Sequence, residues 1–416
     1  MSNNNKNDDI IRKQPVAISG TSEQIAAAWA QVNGRLIKKH VTNFLADLKQ
    51  RNIPRSKLLH QTDVFIAIAK KYGSHWLDEA TCLAKACRLK PEIYIGYMAS
   101  VYRSLLCAEE CTSYTISKKV TAGDKVLFHK TRDNEKKEQS AFILTPAGKK
   151  LNKFIAVTDA AVIGCMMMVN EKGLAGSADT YAQFKSGKPV YEGLMNVFML
   201  RLIAERAADC LEAIDIIKEF TAKRLYAGGT IDGTHWLLTD KTGTSYEVCS
   251  NACEVTSRRI TEDFYVSCPR KGIPQAYKKL PKPVTFHKFH SLSRLPGMCL
   301  NTSVSGMTVE IDPLRPDIDT CAWIGLPAKS YLLPLMMGGS ATPYGLLSGG
   351  VYTRGETAVL DGRTRELYHF FDEENNAIKN SLIKNLHADK ASKKETTEAY
   401  NTWMHQQEKK YTILAT

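Results

Sequence analysis

The chain has 416 residues, 44% of them hydrophobic, which allows a sizeable core in one large domain or two smaller ones. Its net charge of +13 is compatible with a nucleic-acid partner, but the basic residues stand in short runs without a nucleic-acid-binding motif, so we expect a solvated basic surface and no such partner. The apolar stretch 161–169 is shorter than the roughly 20 residues of a membrane helix, which argues against a membrane protein.

The helical part comes first, over residues 21–107. Thr21 offers an N-cap, and Ile25, Trp29 and Leu36 recur at helical spacing. The preceding residues, 1–20, are expected to form a disordered tail; residues 1–13 lack the apolar core of a secretory signal, so we expect a cytoplasmic location. The last predicted helix, 92–106, leads the chain to Cys111.

The character of the sequence changes after residue 111. A strand at 112–117 and a turn at 121–124 predict a hairpin, and a long apolar stripe predicts one helix over 196–220. The order of helices, strands, helices and strands predicts two sheets packed together with helices outside, and the charged tail 373–411 predicts a surface helix. Further strands are predicted at 125–129, 141–144, 154–158, 162–169, 236–239, 245–249, 307–311 and 321–324.

The eleven cysteines are scattered, and none of the closest pairs has the spacing of a zinc site. This pattern predicts free thiols in a reducing compartment and no metal, and nothing in the sequence calls for a cofactor.

Cys111 is the candidate nucleophile because it opens the β-rich segment. Its thiol can attack the carbonyl of Glu110, and hydrolysis of the resulting thioester would free the α-amino group of Cys111. An α-amine has a reference pKa of roughly 8 and can act as general base on the same residue. Arg132, on the partner strand, is expected to favour the thiolate, and Asp133 to hold the amine and the arginine. Strand alternation puts these two neighbours on opposite faces unless the strand ends or bulges there.

With these residues in this order, the sequence resembles the N-terminal nucleophile hydrolases. Within them it resembles the acyl-coenzyme A:6-aminopenicillanate acyltransferase-like family of autoproteolytic acyltransferases and amide hydrolases. The resemblance spans most of the chain. It rests on Cys111-Thr112 after a helical segment, on Thr131-Arg132-Asp133, on Asn-Glu-Lys-Gly-Leu-Ala at 170–175, and on the segments 238–247 and 312–327.

The resemblance implies an α+β fold, a four-layer αββα sandwich with a helical N-terminal pro-segment. Residues 21–110 would form the α chain and residues 111–416 the catalytic β chain after self-cleavage between Glu110 and Cys111. The implied chemistry is hydrolysis of a linear amide, or acyl transfer, through an acyl-Cys111 thioester without a cofactor. The implied partners are a small-molecule amide or acyl donor and the two cleaved chains, and a homo-oligomer is compatible with this fold.

The resemblance also assigns further site residues. Asp133 matches the acid after the first hairpin, Asn170 the turn near the acyl pocket, and Arg294 a late serine-arginine pair. Thr234 and His235 stand where the family has its oxyanion-hole asparagine, and a hydroxyl, an imidazole or a backbone N–H can replace that amide.

Three functions remain open on the sequence alone. The leading one is a self-processing cysteine amidohydrolase, and an acyltransferase differs from it only in whether water or an amine intercepts the acyl-enzyme. The third is an uncleaved, non-catalytic binding protein on the same fold. It is motivated by Glu110, where the family usually has a small residue, and by the missing asparagine.

Overall fold

The computed structural model describes residues 13–100, 111–134, 138–180, 192–228, 233–267, 272–295, 298, 300, 302–326, 330, 332–352 and 362–414. Glu110 and the predicted helix beyond residue 100 lie outside the described residues. In the part of the chain that is described, no helix is both long and apolar enough to cross a membrane.

Four helices form the N-terminal part. The first begins at the predicted N-cap, where the Thr21 side chain accepts from the backbone of Gln24 and the Gln24 side chain accepts from the backbone of Thr21, which completes a capping box. These helices are α1 (Ser22–Gln50), α2 (Arg55–Tyr72), α3 (Ser74–Ala86) and α4 (Pro91–Ser100).

The strands form two antiparallel sheets. A seven-stranded sheet, in the order β3-β4-β5-β6-β7-β8-β9, consists of Gln139–Leu144, Phe154–Asp159, Met167–Asn170, Ala175–Thr180, Thr234–Thr239, Ser245–Ser250 and Val255–Arg259. A six-stranded sheet, in the order β10-β1-β2-β11-β12-β13, consists of Phe264–Val266, Thr112–Ile116, Val126–Asp133, Ser303–Ile311, Cys321–Gly325 and Leu333–Met336. The pairing of β1 with β2 confirms that Cys111 opens a hairpin.

The remaining helices differ from the sequence prediction at one point. The helix predicted over 196–220 is two helices, because Ala207 is extended and the Asp209 carboxylate caps a new helix by accepting from the backbone of Leu211 and Glu212. The later helices are α5 (Asn196–Arg206), α6 (Cys210–Ala222), α7 (Ile273–Lys278), α8 (Phe286–Ser291), α9 (Pro316–Asp319), α10 (Tyr344–Leu347), α11 (Gly362–Ala388) and α12 (Lys393–Leu414).

The two sheets face each other across one core, in which Ile155 and Leu237 of the seven-stranded sheet join Phe128 and Val309 of the six-stranded sheet. A second core holds Trp29, Trp76 and Phe198 of the helices against Phe142 and Trp236 on the other face of the seven-stranded sheet. Helices α8 and α12 cover the outer face of the six-stranded sheet. These four layers confirm the predicted αββα sandwich.

The C-terminal tail is more deeply packed than predicted. Where one surface helix was predicted, the tail forms two helices, and α12 buries Tyr400, Trp403 and Met404. The ring of Trp403 meets that of Trp323 on β12 at 6.2 Å between centroids. The tail is therefore part of the outer helical layer, because an apolar stripe interrupts its charged surface.

A buried ion network ties the N-terminal helices to the rest of the chain. Arg201 on α5 donates to Glu79 on α3 at 2.7 Å and to Glu205 at 2.8 Å. His75 and the indole nitrogen of Trp76, both on α3, lie 3.0 and 2.9 Å from Glu205. All of this lies in the interior, so α3 and α5 would stay joined if the chain were cut between residues 110 and 111.

Candidate active site between the sheets

Cys111 is buried, with 3% of its surface exposed, directly before β1. In the β1–β2 pair, Thr112 lies opposite Thr131. Continuing this register by one position places Cys111 opposite Arg132. Ser113, two residues on, faces the second sheet, since its Oγ lies 2.8 Å from Oγ of Ser177 on β6. Strand alternation therefore directs Cys111 into the space between the sheets.

Arg132 crosses that space to reach the seven-stranded sheet. Its Nη1 donates to Oδ1 of Asp159 at 2.5 Å and to Oε1 of Gln139 at 3.0 Å. Gln139 in turn donates to Asp159 at 2.6 Å. Arg132 and Asp159 are almost fully buried, and the Asp159 carboxylate fixes the guanidinium of Arg132. Asp159 is not among the site residues predicted from the sequence.

Asp133 lies at the irregular end of β2. Its carboxylate accepts a hydrogen bond from the Ser303 hydroxyl, at a point where the pairing of β2 with β11 shifts register between Ser303 and Ser305. This agrees with the expectation that the strand ends or bulges there. Asp133 is thus fixed against β11, while Asp159 is the acid bonded to Arg132.

A second buried ion pair joins the sheets beside Ser113. Nζ of Lys130 lies 2.7 Å from Oδ1 of Asp179. Asp179 also accepts from Ser267, whose Oγ in turn accepts from the backbone N–H of Ser113 at 2.9 Å. Burial pushes the pKa of Asp179 upward, but Lys130 and then His235 outweigh it and hold the pKa below its usual value.

The sequence did carry a signal for Lys130. On β2 it follows Val126 and Phe128 at alternate positions, so a charge occupies a face that is otherwise apolar. A charge there requires a buried partner. Its partner Asp179 could not be identified without the stacking of the sheets, because the two residues lie on different sheets.

His235 joins this inter-sheet cluster, whereas Thr234 does not. The ring of His235 is buried, with Nδ1 3.9 Å from Asp179 and Nε2 3.3 Å from Glu247. The hydrogen bond from His235 lowers the pKa of Glu247 to about 2. Thr234 accepts from the Tyr226 hydroxyl at 2.6 Å and faces the helices on the other side of the sheet, as alternation requires.

Asn170 is the last residue of β5, at the opposite end of the sheet from Asp159. It pairs with Phe154 at the start of β4, whereas Asp159 ends that strand. Its Nδ2 donates to the last carbonyls of α5, at 3.0 Å to Ala204 and 2.7 Å to Ala207, and its Oδ1 accepts two backbone N–H groups of its own turn. These contacts engage both Nδ2 and Oδ1 of Asn170, and they fit a structural role.

We expect Asn170→Ala to lower the free energy of unfolding by about 3 kcal/mol, because buried backbone groups lose their partners. Guanidinium denaturation measures this change. Lys172→Ala, a half-exposed neighbour, is the control and should stay within about 0.5 kcal/mol of wild type. A large rise in KM with unchanged stability would instead show that Asn170 contributes to substrate binding.

Arg294 lies behind the six-stranded sheet. Its guanidinium is bonded to Asp372 of α11 and, at 3.0 Å, to the carbonyl of Ser330. The neighbouring His290 contacts Thr308 on the outer face of β11, at 2.8 Å. The six-stranded sheet therefore separates Arg294 from Lys130 and the other charges between the sheets.

The structure thus brings Cys111, Arg132 and His235 into one inter-sheet layer and places Asn170, Thr234 and Arg294 elsewhere. Asp133 borders this layer at the end of β2.

Comparison with known families supports the predicted resemblance. The family model described as acyl-coenzyme A:6-aminopenicillanic acid acyl-transferase matches residues 120–258. The matched part contains Arg132, Asp159, Asp179 and His235, and it begins after Cys111. It confirms the predicted resemblance and the enzyme class, one acting on C–N amide bonds. No curated protein matches the chain.

Solved structures of amide hydrolases show a low overall similarity to the chain. An N-acylethanolamine-hydrolyzing acid amidase ortholog of Caenorhabditis elegans is 14% identical, with 50% of this chain and 94% of that chain covered and a TM-score of 0.36. Penicillin V acylase from Agrobacterium tumefaciens is 12% identical, with 55% and 86% covered and a TM-score of 0.38. A conjugated bile acid hydrolase variant from Clostridium perfringens is 11% identical, with 55% and 92% covered and a TM-score of 0.32.

Proposed function

We propose that the chain is a self-processing cysteine amidohydrolase with Cys111 as its nucleophile. The observation that carries the proposal is the setting of Cys111, which is buried directly before β1 and lies opposite Arg132 when the β1–β2 register is continued by one position. Asp159 fixes the guanidinium of Arg132. A cation held beside a thiol lowers the pKa of that thiol and favours the thiolate, the nucleophilic form.

Self-cleavage would use the same thiol. The sulfur of Cys111 attacks the carbonyl carbon of Glu110, the C–N bond between the two residues breaks, and the nitrogen takes up the proton that the thiol gives up. Water then hydrolyses the thioester, which leaves a carboxylate on Glu110 and a free thiol and amine on Cys111. The cleaved helical segment stays bound through the buried network around Arg201.

Turnover repeats this chemistry on a small molecule. The α-amine of Cys111 takes the thiol proton, the sulfur attacks the amide carbonyl, and the amine product leaves with that proton. Water then releases the acid from acyl-Cys111. We propose a linear amide as substrate, because the matched family is named for an acyltransferase, an enzyme that transfers an acyl group to an acceptor.

The experiment that tests this function is a screen of processed protein against linear N-acyl amides, with the released amine as readout. Release that depends on Cys111 supports the proposal, and no release from any acyl class contradicts it. Adding a second amine separates the two reactions, since a transferase accumulates the new amide and a hydrolase accumulates the free acid.

We expect Asp159→Asn to lower kcat/KM roughly 100-fold, because Arg132 loses the charge that positions it. The substitution changes both the position of the guanidinium and the charge balance around the thiol, so the acidic limb of the pH–rate profile should move. Asp159→Glu should recover part of the activity. Asp240→Asn, a buried acid at a turn of the same sheet, is the control and should leave the profile in place. An unchanged profile in Asp159→Asn would exclude this positioning role.

A further inference from the structure

Three side chains that bind metal ions in proteins converge at one edge of the inter-sheet cluster. They are His235 on β7 and Glu247 and Cys249 on β8, and one ligand atom from each lies within 4.8 Å of the others. His235 and Cys249 are cross-strand partners, and Glu247 lies two residues before Cys249 on the same face. The sequence prediction of no metal rested on spacing along the chain, which does not detect ligands from two paired strands.

We propose that His235, Glu247 and Cys249 bind a zinc ion. An imidazole nitrogen, a thiolate sulfur and a carboxylate oxygen are the ligands that zinc takes, whereas magnesium and calcium favour sites built from oxygen alone. Three protein ligands leave a fourth tetrahedral position open for water or a small molecule. The thiolate and the carboxylate together balance the charge of the ion.

The surroundings of His235 support this assignment independently. A histidine that binds a metal through one ring nitrogen usually presents the other to a carboxylate, which fixes the ring. Here Nε2 faces Glu247 at 3.3 Å, and Nδ1 lies 3.9 Å from Asp179, which is itself held by Lys130. Coordination through Nε2 would replace its 3.0 Å contact with the Tyr265 hydroxyl, while Tyr265 keeps its bond to Glu247.

The ion has a route of entry and a defined proton balance. Glu247 is 19% exposed, and it is covered on the solvent side by Arg258, whose side chain is 48% exposed. Without a metal the thiol stays protonated, because burial raises the pKa of Cys249 to about 12. When the sulfur–metal bond forms, the S–H bond breaks and one proton passes to solvent.

The test is a titration of metal-free protein with Co²⁺, which gives a thiolate-to-cobalt absorption band when a cysteine binds it. We expect one equivalent to bind with that band, zinc to displace it, and Cys249→Ser to abolish it. Glu247→Gln should weaken binding roughly tenfold, and it is the informative variant if Cys249→Ser does not fold. Cys253→Ser, an exposed cysteine on the turn after β8, is the matched control and should keep the band.

Two other results would overturn the zinc site. No band at one equivalent, or affinity that none of the ligand substitutions changes, means that the three residues form only an ion-pair network with Arg258. A band that survives in Cys249→Ser and is lost in Cys111→Ala would place the ion at the proposed nucleophile. Either result overturns the site, and neither depends on amide turnover.

Discussion

Replacing Cys111 by alanine is expected to lower amide turnover by at least about 10⁴-fold, because loss of a catalytic nucleophile removes the covalent route altogether. The comparison requires equal amounts of folded protein. Since Cys111→Ala also cannot cleave itself, the variant is best produced as two separate chains, 1–110 and 111–416, that are combined and checked for assembly. The initial rate with a linear amide at saturating concentration is the readout.

Two other cysteines serve as controls for Cys111. Cys253 is exposed, and Cys321 is buried in β12, where burial raises the pKa of its thiol. Alanine at either position should leave the rate within a few-fold of wild type once stability is taken into account. If Cys111→Ala kept a tenth or more of the rate, another group would be the nucleophile.

The second large effect is expected on stability. Replacing Arg201 by methionine should lower the free energy of unfolding by about 3–5 kcal/mol, since it leaves Glu79 and Glu205 buried without their cation. Burial raises the pKa of Glu79 even with Arg201 in place. For Glu205, burial also acts upward, but Arg201 and His75 outweigh it and lower the pKa. Chemical denaturation followed by tryptophan fluorescence measures the loss, because Trp76 lies in the network.

The matched control for this change lies on the same helix. Arg206→Met removes an exposed guanidinium at the end of α5 and should cost less than about 1 kcal/mol. In processed protein, Arg201→Met should also release the helical segment at a lower denaturant concentration than wild type. A loss below 1 kcal/mol in Arg201→Met would show that the network does not hold the two parts together.

Much of the fold could be predicted because local sequence patterns indicate its helices, strands and turns. The hairpin that begins at Cys111 follows from alternating residues and a turn, and the αββα order follows from helices and strands that come in blocks. The break before Cys210 was missed although Asp209 is a good N-cap residue, because the apolar stripe continues across it.

The site was predicted less completely, since its contacts are made between sheets. Cys111 and Arg132 stand on one hairpin, so their proximity follows from register. The partners of Arg132 and Lys130, which are Asp159 and Asp179, belong to the other sheet, and their positions depend on how the sheets stack. Asn170 was assigned to the site because its segment matches a family motif, whereas its contacts in the structure are with the end of α5.

If Cys111 becomes an amino terminus, the intact mass of the purified protein under denaturing conditions reveals it. We expect two fragments from wild type, one ending at Glu110 and one beginning at Cys111, and a single full-length mass from Cys111→Ala. A single full-length mass from both proteins would show that the chain is not cleaved before Cys111 and would favour the uncleaved binding protein.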